Sequence, residues 1–117
     1  MDRLHYAGNS IVTGTDIAHA LLGYAQALAE AESSATVSIP TLRDDGTRGR
    51  SEVLIGPASQ LISDSEGSPH DEIVDAELVE RLNMLAARVR DERSPAPQTS
   101  GAPDPQDPDG APYADGF

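Results

Sequence analysis

Apolar residues recur along the chain in two rhythms, helical and alternating, and both break off near residue 93. Ile17, Leu21, Tyr24, Ala25 and Leu28 share one stripe at helical spacing, with His19, Gln26 and Glu30 away from its centre. The stripe predicts a helix over residues 14–31, roughly 25 Å long at 1.5 Å per residue. Thr13-Gly14-Thr15-Asp16 fits a capping box at its start, flanked by Val12 and Ile17 at the staple positions. Val74, Leu78, Leu82, Leu85 and Val89 predict a second helix that ends near Arg93. Two starts compete for it. One has Ser68 as cap with Pro69 in the first turn; the other has Asp75 as cap, with Ile73 and Val74 closing a strand. Acids crowd the first turns and Arg88, Arg90 and Arg93 the last, as the helix dipole prefers.

Elsewhere the rhythm suits strands. Leu4, Tyr6, Ile11 and Val12 surround the turn pair Gly8-Asn9 and predict one bent strand or two very short ones. Thr36 to Leu42 alternates, with Val37 and Ile39 on one face, and Pro40 predicts an edge position because it has no N–H for a ladder. Asp45-Gly46 signals a hairpin turn into a strand near Arg50 to Ile55. There Val53-Leu54-Ile55 runs apolar on both faces. That predicts either a central strand covered on two sides or a face used in assembly, and it marks Leu54 as a candidate contact. Gly56-Pro57-Ala58-Ser59 reads as a turn, and Gln60 to Ser63 as a short third strand of a meander. The fold class is α+β: a small antiparallel sheet of three to four strands packed by two helices, within a domain spanning 1–93.

Composition changes the picture after that point. Residues 94–117 hold six prolines, four aspartates and no positive residue, so chain entropy predicts a disordered acidic tail. Its aromatics, Tyr113 and Phe117, are candidate contacts for a partner's pocket, set against the plainer reading of an inert tail. Aromatics are 3% of the chain, so the core must be built from aliphatic side chains that bury less area each. Modest stability follows, and with it an expectation of homodimerisation.

The 117 residues carry a net charge of -12, and all eight positive residues are Arg. That charge repels phosphate backbones and anionic membranes, which disfavours direct nucleic-acid or membrane binding and favours a basic or neutral protein partner. There is no Cys, which removes thiolate nucleophiles, disulfides and Cys-ligated metals. The opening Met-Asp-Arg-Leu-His does not resemble a signal peptide, and the apolar run from Ile17 to Ala31 is too short to span a bilayer. The cytoplasm is the expected location.

Candidate chemistry is thin. Thr13, Gly14 and Thr15 at a helix start could meet an anion through free amides, but Asp16 repels one there, and a structural cap is the stronger reading. Ser59 lacks the Gly-x-Ser-x-Gly setting of a hydrolase nucleophile and reads as a turn serine accepting from a nearby amide. His5, His19 and His70 lack metal-binding spacing. Glu52, Asp64, Glu66 and Asp44-Asp45 lack the ligand ladder of a calcium loop. No cofactor or metal is implied.

Ile11-Val12-Thr13-Gly14, Tyr24-Ala25-x-Ala27-Leu28-Ala29, Val37-x-Ile39-Pro40 and Leu54-Ile55-Gly56-Pro57-Ala58-Ser59-Gln60 carry a resemblance. Over about its first sixty-five residues the chain resembles small acidic hypothetical proteins of high-GC Gram-positive bacteria. The resemblance brings no functional residue with it. The function expected from the residues is a non-enzymatic protein-interaction or accessory role. The alternatives are a small-ligand-binding domain or minor enzyme with a pocket at the 13–16 helix start, and an antitoxin-like inhibitor masking a basic surface.

Overall fold

A computed structural model describes residues 1–93, and for Arg93 the backbone alone. Tyr113, Phe117 and the rest of 94–117 lie outside the described residues. The elements run β1 (Asp2–Tyr6), β2 (Asn9–Thr13), α1 (Thr15–Glu30), β3 (Ala35–Leu42), β4 (Arg48–Ile55), β5 (Leu61–Ser65) and α2 (Ala76–Arg93). The fold is α+β, with one antiparallel sheet in the order β4-β3-β2-β1-β5. Five strands replace the three to four expected. The opening segment forms a complete hairpin, turning on Ala7 and Gly8, both at positive φ, as a tight two-residue turn requires.

β5 is not the third strand of a meander on β4. It pairs with β1, on the opposite edge of the sheet, with Leu61 beside Tyr6 and Ser65 beside Asp2. This forces a bend. β2 and β3 pair only at Val12 and Leu42, while β3 and β4 pair along their whole length. In a flat sheet of this register, Ile55 and Leu61 would be about 33 Å apart along the strands and about 19 Å across them. The five residues between them, Gly56–Gln60, bridge about 21 Å at full stretch. The β3–β4 ribbon therefore folds back at the Val12–Leu42 corner, toward the β1–β2 hairpin. The Tyr6 hydroxyl confirms it by donating to the Leu54 carbonyl on β4.

Folding back brings two apolar faces together. Leu4, with half-buried Ile11 and Leu61, comes from one part of the sheet; Val37, Ile39, Val53 and Ile55 come from the ribbon. α1 closes this core with Ile17, Leu21, Tyr24 and Leu28, the predicted stripe, while Ala25 is only partly buried. α2 packs on α1 through Leu78, Leu82 and Ala86. Each fully buried aliphatic side chain contributes about 1.5–3 kcal/mol.

The two sides of β4 differ. Val53 and Ile55 are buried, whereas Leu54 points outward and is 56% exposed. β4 is an edge strand, so the covered central strand is ruled out. β3 in turn is not the edge that Pro40 predicted. It is flanked on both sides, but β2 touches it at one residue, and the Pro40 carbonyl accepts from the Thr13 hydroxyl at 2.7 Å. A strand residue's nitrogen and carbonyl face the same side. The ring nitrogen of Pro40 thus faces β2, where no ladder bond is needed.

The helix ends depart from expectation as well. α1 is capped by Gly14 with no side-chain bond; Thr13 stands one residue before the cap and donates its hydroxyl to the Pro40 carbonyl. At its far end Ser33 N–H bonds Leu28 C=O and Glu32 N–H bonds Ala29 C=O, a Schellman closure with Glu32 at φ 55 where glycine is usual. For α2 the Asp75 start is the one formed: its carboxylate accepts from Leu78 N–H at 3.1 Å. Ser68 caps no helix; its hydroxyl oxygen accepts from His70 N–H. Ile73 and Val74 belong to no strand, and Val74 is 77% exposed rather than part of the stripe.

Candidate functional site

The chain gathers donors or guanidiniums at two places. One is the start of α1. Gly14 sits so close to the segment leading into α2 that a Cβ there would lie 1.9 Å from the Ile73 carbonyl oxygen. That proximity brings Glu72 over the helix start, where its carboxylate accepts from Thr15 N–H at 2.6 Å and from the Met1 amino group at 2.8 Å. The bond from Met1, followed by that from the Thr15 amide, holds the Glu72 carboxyl below its ordinary 4.5. The donor that an outside anion would use is thus bonded to the chain's own carboxylate, and Thr13 faces Pro40 instead.

Beside it, Asp2, itself buried, is the hub of a polar cluster whose other members are half-buried or exposed. Its oxygens accept from the Thr15 hydroxyl and the Ser63 hydroxyl, each at 2.8 Å, and His19 Nε2 lies 3.4 Å away. Burial pushes this carboxyl up, but the bonds from Thr15 and Ser63, with His19, outweigh burial and hold it below its ordinary 3.8. Ser, His and Asp are the residue types of a hydrolytic triad, yet Ser63 and His19 bond the same carboxylate oxygen. No base stands on the serine. The cluster ties β1, α1 and β5 together.

The second place is open. Two clefts, each about 310 Å³, share Ser10, Ile11 and Ser51 and form one groove between the β1–β2 hairpin and β4. One end is polar, lined by Arg3, Arg43 and Arg50 with Ser10 and Asp44. The other has an apolar floor of Leu4, Tyr6, Val53 and Leu61, with Asn9 and Glu52 at its rim. Arg3 is committed, bonding Glu66 through two nitrogens at 2.7 and 2.9 Å and Ser10 through the third. That pair holds the Glu66 carboxyl below its ordinary value. Arg43 bonds the Arg48 carbonyl and Arg50 bonds Ser38, but neither forms an ion pair among the described residues. Arg43 lies at this end within electrostatic reach of Asp45, with Asp44 beside it, while the Arg50 guanidinium is turned onto Ser38, which does not line the groove.

The backbone of β4 also faces it. Leu54 C=O points away from β3, toward Tyr6, and strand groups alternate in direction. The N–H and C=O of Arg50 and Glu52 therefore point outward with those of Leu54.

Other singled-out residues lie elsewhere. Ser59 is the turn serine expected: Gly56 N–H donates to its hydroxyl oxygen at 3.0 Å, and Ser59 N–H returns to Gly56 C=O. His5 pairs with Asp64 on the outer sheet face, and His70 lines a shallow cleft with Arg43. Asp45 accepts from Thr47 within the hairpin turn. Among the described residues no three of these side chains converge as a metal site would require. No described helix is long and apolar enough to cross a membrane. The groove arginines escaped sequence reading because positions 3, 43 and 50 form no basic segment; only the alternation of Arg48 and Arg50 hinted at a shared face.

No protein-family model matches the chain, and no curated protein or solved structure matches it either.

Proposed function

We propose that this protein is a non-enzymatic interaction module that holds an extended peptide segment of a partner protein in the β2–β4 groove. The observation that carries this reading is a strand edge with outward backbone groups at Arg50 and Glu52, set along a groove basic at one end and apolar at the other. Strand addition draws affinity from main-chain bonds and specificity from side-chain pockets, and this groove supplies both. The preferred segment is extended and places an acidic residue near Arg43 and Arg50 and an apolar one over Leu4, Tyr6 and Leu61. The overall charge of -12 favours a partner that is neutral or basic as a whole, even though the inserted segment is acidic.

A display selection of random peptides on the full chain tests the reading. Enriched peptides pair an acid with an aliphatic or aromatic residue, and enrichment is lost on Arg43→Ala with Arg50→Ala. Selection of nothing, or of peptides indifferent to both substitutions, rejects it.

A further inference from the structure

We infer that the chain's own C-terminal segment, 104–117, is a ligand of the β2–β4 groove, folding back onto it within one molecule and competing with partner peptides. The inference rests on the reading of the groove as a peptide site. Its first support is charge. Arg43 and Arg50 stand without ion-pair partners among the described residues. The chain beyond α2 carries Asp104, Asp107, Asp109 and Asp115 and no cation. The rim carboxylates Asp44 and Glu52, and the excess of 16 Asp and Glu over 8 Arg across residues 1–93, oppose this attraction, so the acids of the segment must reach the arginine end rather than the groove as a whole.

The second support is the pairing of chemistries. Of the apolar floor, Val53 lies three β4 residues from Arg50, about 10 Å along the strand and on its other face, while Leu4, Tyr6 and Leu61 come from β1 and β5. In Tyr113-Ala114-Asp115-Gly116-Phe117 an acid is flanked by aromatics two residues away on either side, about 7 Å in extended chain. The same run contains no proline, so every amide in it is able to pair with the outward groups of Arg50 and Glu52. Reach is ample: the 24 residues after Arg93 (117 less 93) extend up to about 80 Å. An intramolecular ligand acts at an effective concentration in the millimolar range, so even a weak segment would compete with an outside peptide.

Amide spectra of the full-length protein test this, with a full-length variant combining Tyr113→Ala, Asp115→Asn and Phe117→Ala. Relative to wild type, the variant shifts the amides of Ser10, Ile11, Arg50 and Glu52 while those of α1 and α2 stay in place. Adding a synthetic peptide of residues 104–117 to the variant moves them back toward the wild-type positions, and added salt weakens this. The variant also enriches displayed peptides several-fold better than wild type. Superposable groove amides in the two proteins, with no response to the peptide, overturn the inference. So does a difference that grows with protein concentration, because the segment would then be serving a second copy. If display-selected peptides still shift the groove amides in either case, the groove reading stands and only the inference falls; if they also fail, both fall.

Discussion

The start of α1 and the groove beside β4 both present positive character to an anion, and the chain treats them oppositely. At the helix start, Glu72 is brought onto the Thr15 amide by a backbone contact so close that only glycine fits at position 14. At the groove, Arg43 and Arg50 bond only to backbone or hydroxyl oxygens and form no ion pair among the described residues, and two backbone units of β4 point outward. At the helix start the donors already bond the chain's own carboxylate, so the filled place reads as architecture. Under the proposed function, the open place is where an added molecule binds.

The largest effect expected from this contrast is at Gly14. Gly14→Ala drives a methyl into the Ile73 carbonyl and separates Glu72 from Thr15, lowering stability by about 3 kcal/mol. Urea unfolding measures it, and a change under about 1 kcal/mol would mean the contact between the approach to α2 and the start of α1 is loose.

Neighbours on β4 sharpen the contrast next. Ile55→Ala removes a fully buried side chain from the core and costs about 3 kcal/mol. Leu54→Ala, one residue away on the outer face, stays within about 0.5 kcal/mol of wild type. Similar costs for both would place Leu54 under a covering layer, such as a second copy.

Asp2 supplies a pH-dependent comparison. Its folded pKa lies below the ordinary 3.8, so its stabilisation is complete above that value and disappears as pH falls through the depressed one. Asp2→Asn therefore costs about 1.5–3 kcal/mol at neutral pH, from lost charge-assisted bonds, and the gap to wild type narrows below about pH 4. Unfolding at pH 7 and pH 3 reads it; a gap that stays constant with pH would remove Asp2 as a charged hub.

The smallest effect lies outside both places and calibrates them. Glu32→Gly relieves the left-handed backbone at the end of α1 and raises stability by about 1 kcal/mol. A loss instead would show that the Glu32 side chain holds a contact worth more than the strain.

Much of the fold was legible because local rhythm determines it. Ile17, Leu21, Tyr24 and Leu28 announced α1, Asp45-Gly46 the hairpin, and Pro57 with Ser59 the turn after β4. What escaped was long-range pairing. Nothing in Leu61 to Ser65 names β1 as its neighbour rather than β4; the choice follows from the bend at Val12 and Leu42, which rests on contacts between distant segments. Pro40 misled for the same reason, since an interior strand with one bridging residue offers a proline the freedom of an edge. The capping box failed because the cap falls at Gly14, one residue past Thr13, whose hydroxyl donates to Pro40. The groove inherits this: Arg3, Arg43 and Arg50 converge only after the ribbon folds back, so a chain with no basic segment acquires a basic end of a site.

Amide hydrogen exchange at Arg50 and Glu52 tests the central claim most directly, measured on the full chain with and without a display-selected peptide. The account predicts that both amides exchange faster than those of Ser51 and Val53, which point toward β3, and that peptide slows them several-fold while the Thr15 amide is unchanged. Unchanged exchange at Arg50 and Glu52, with protection appearing at Thr15 instead, would place the site at the start of α1 and contradict it.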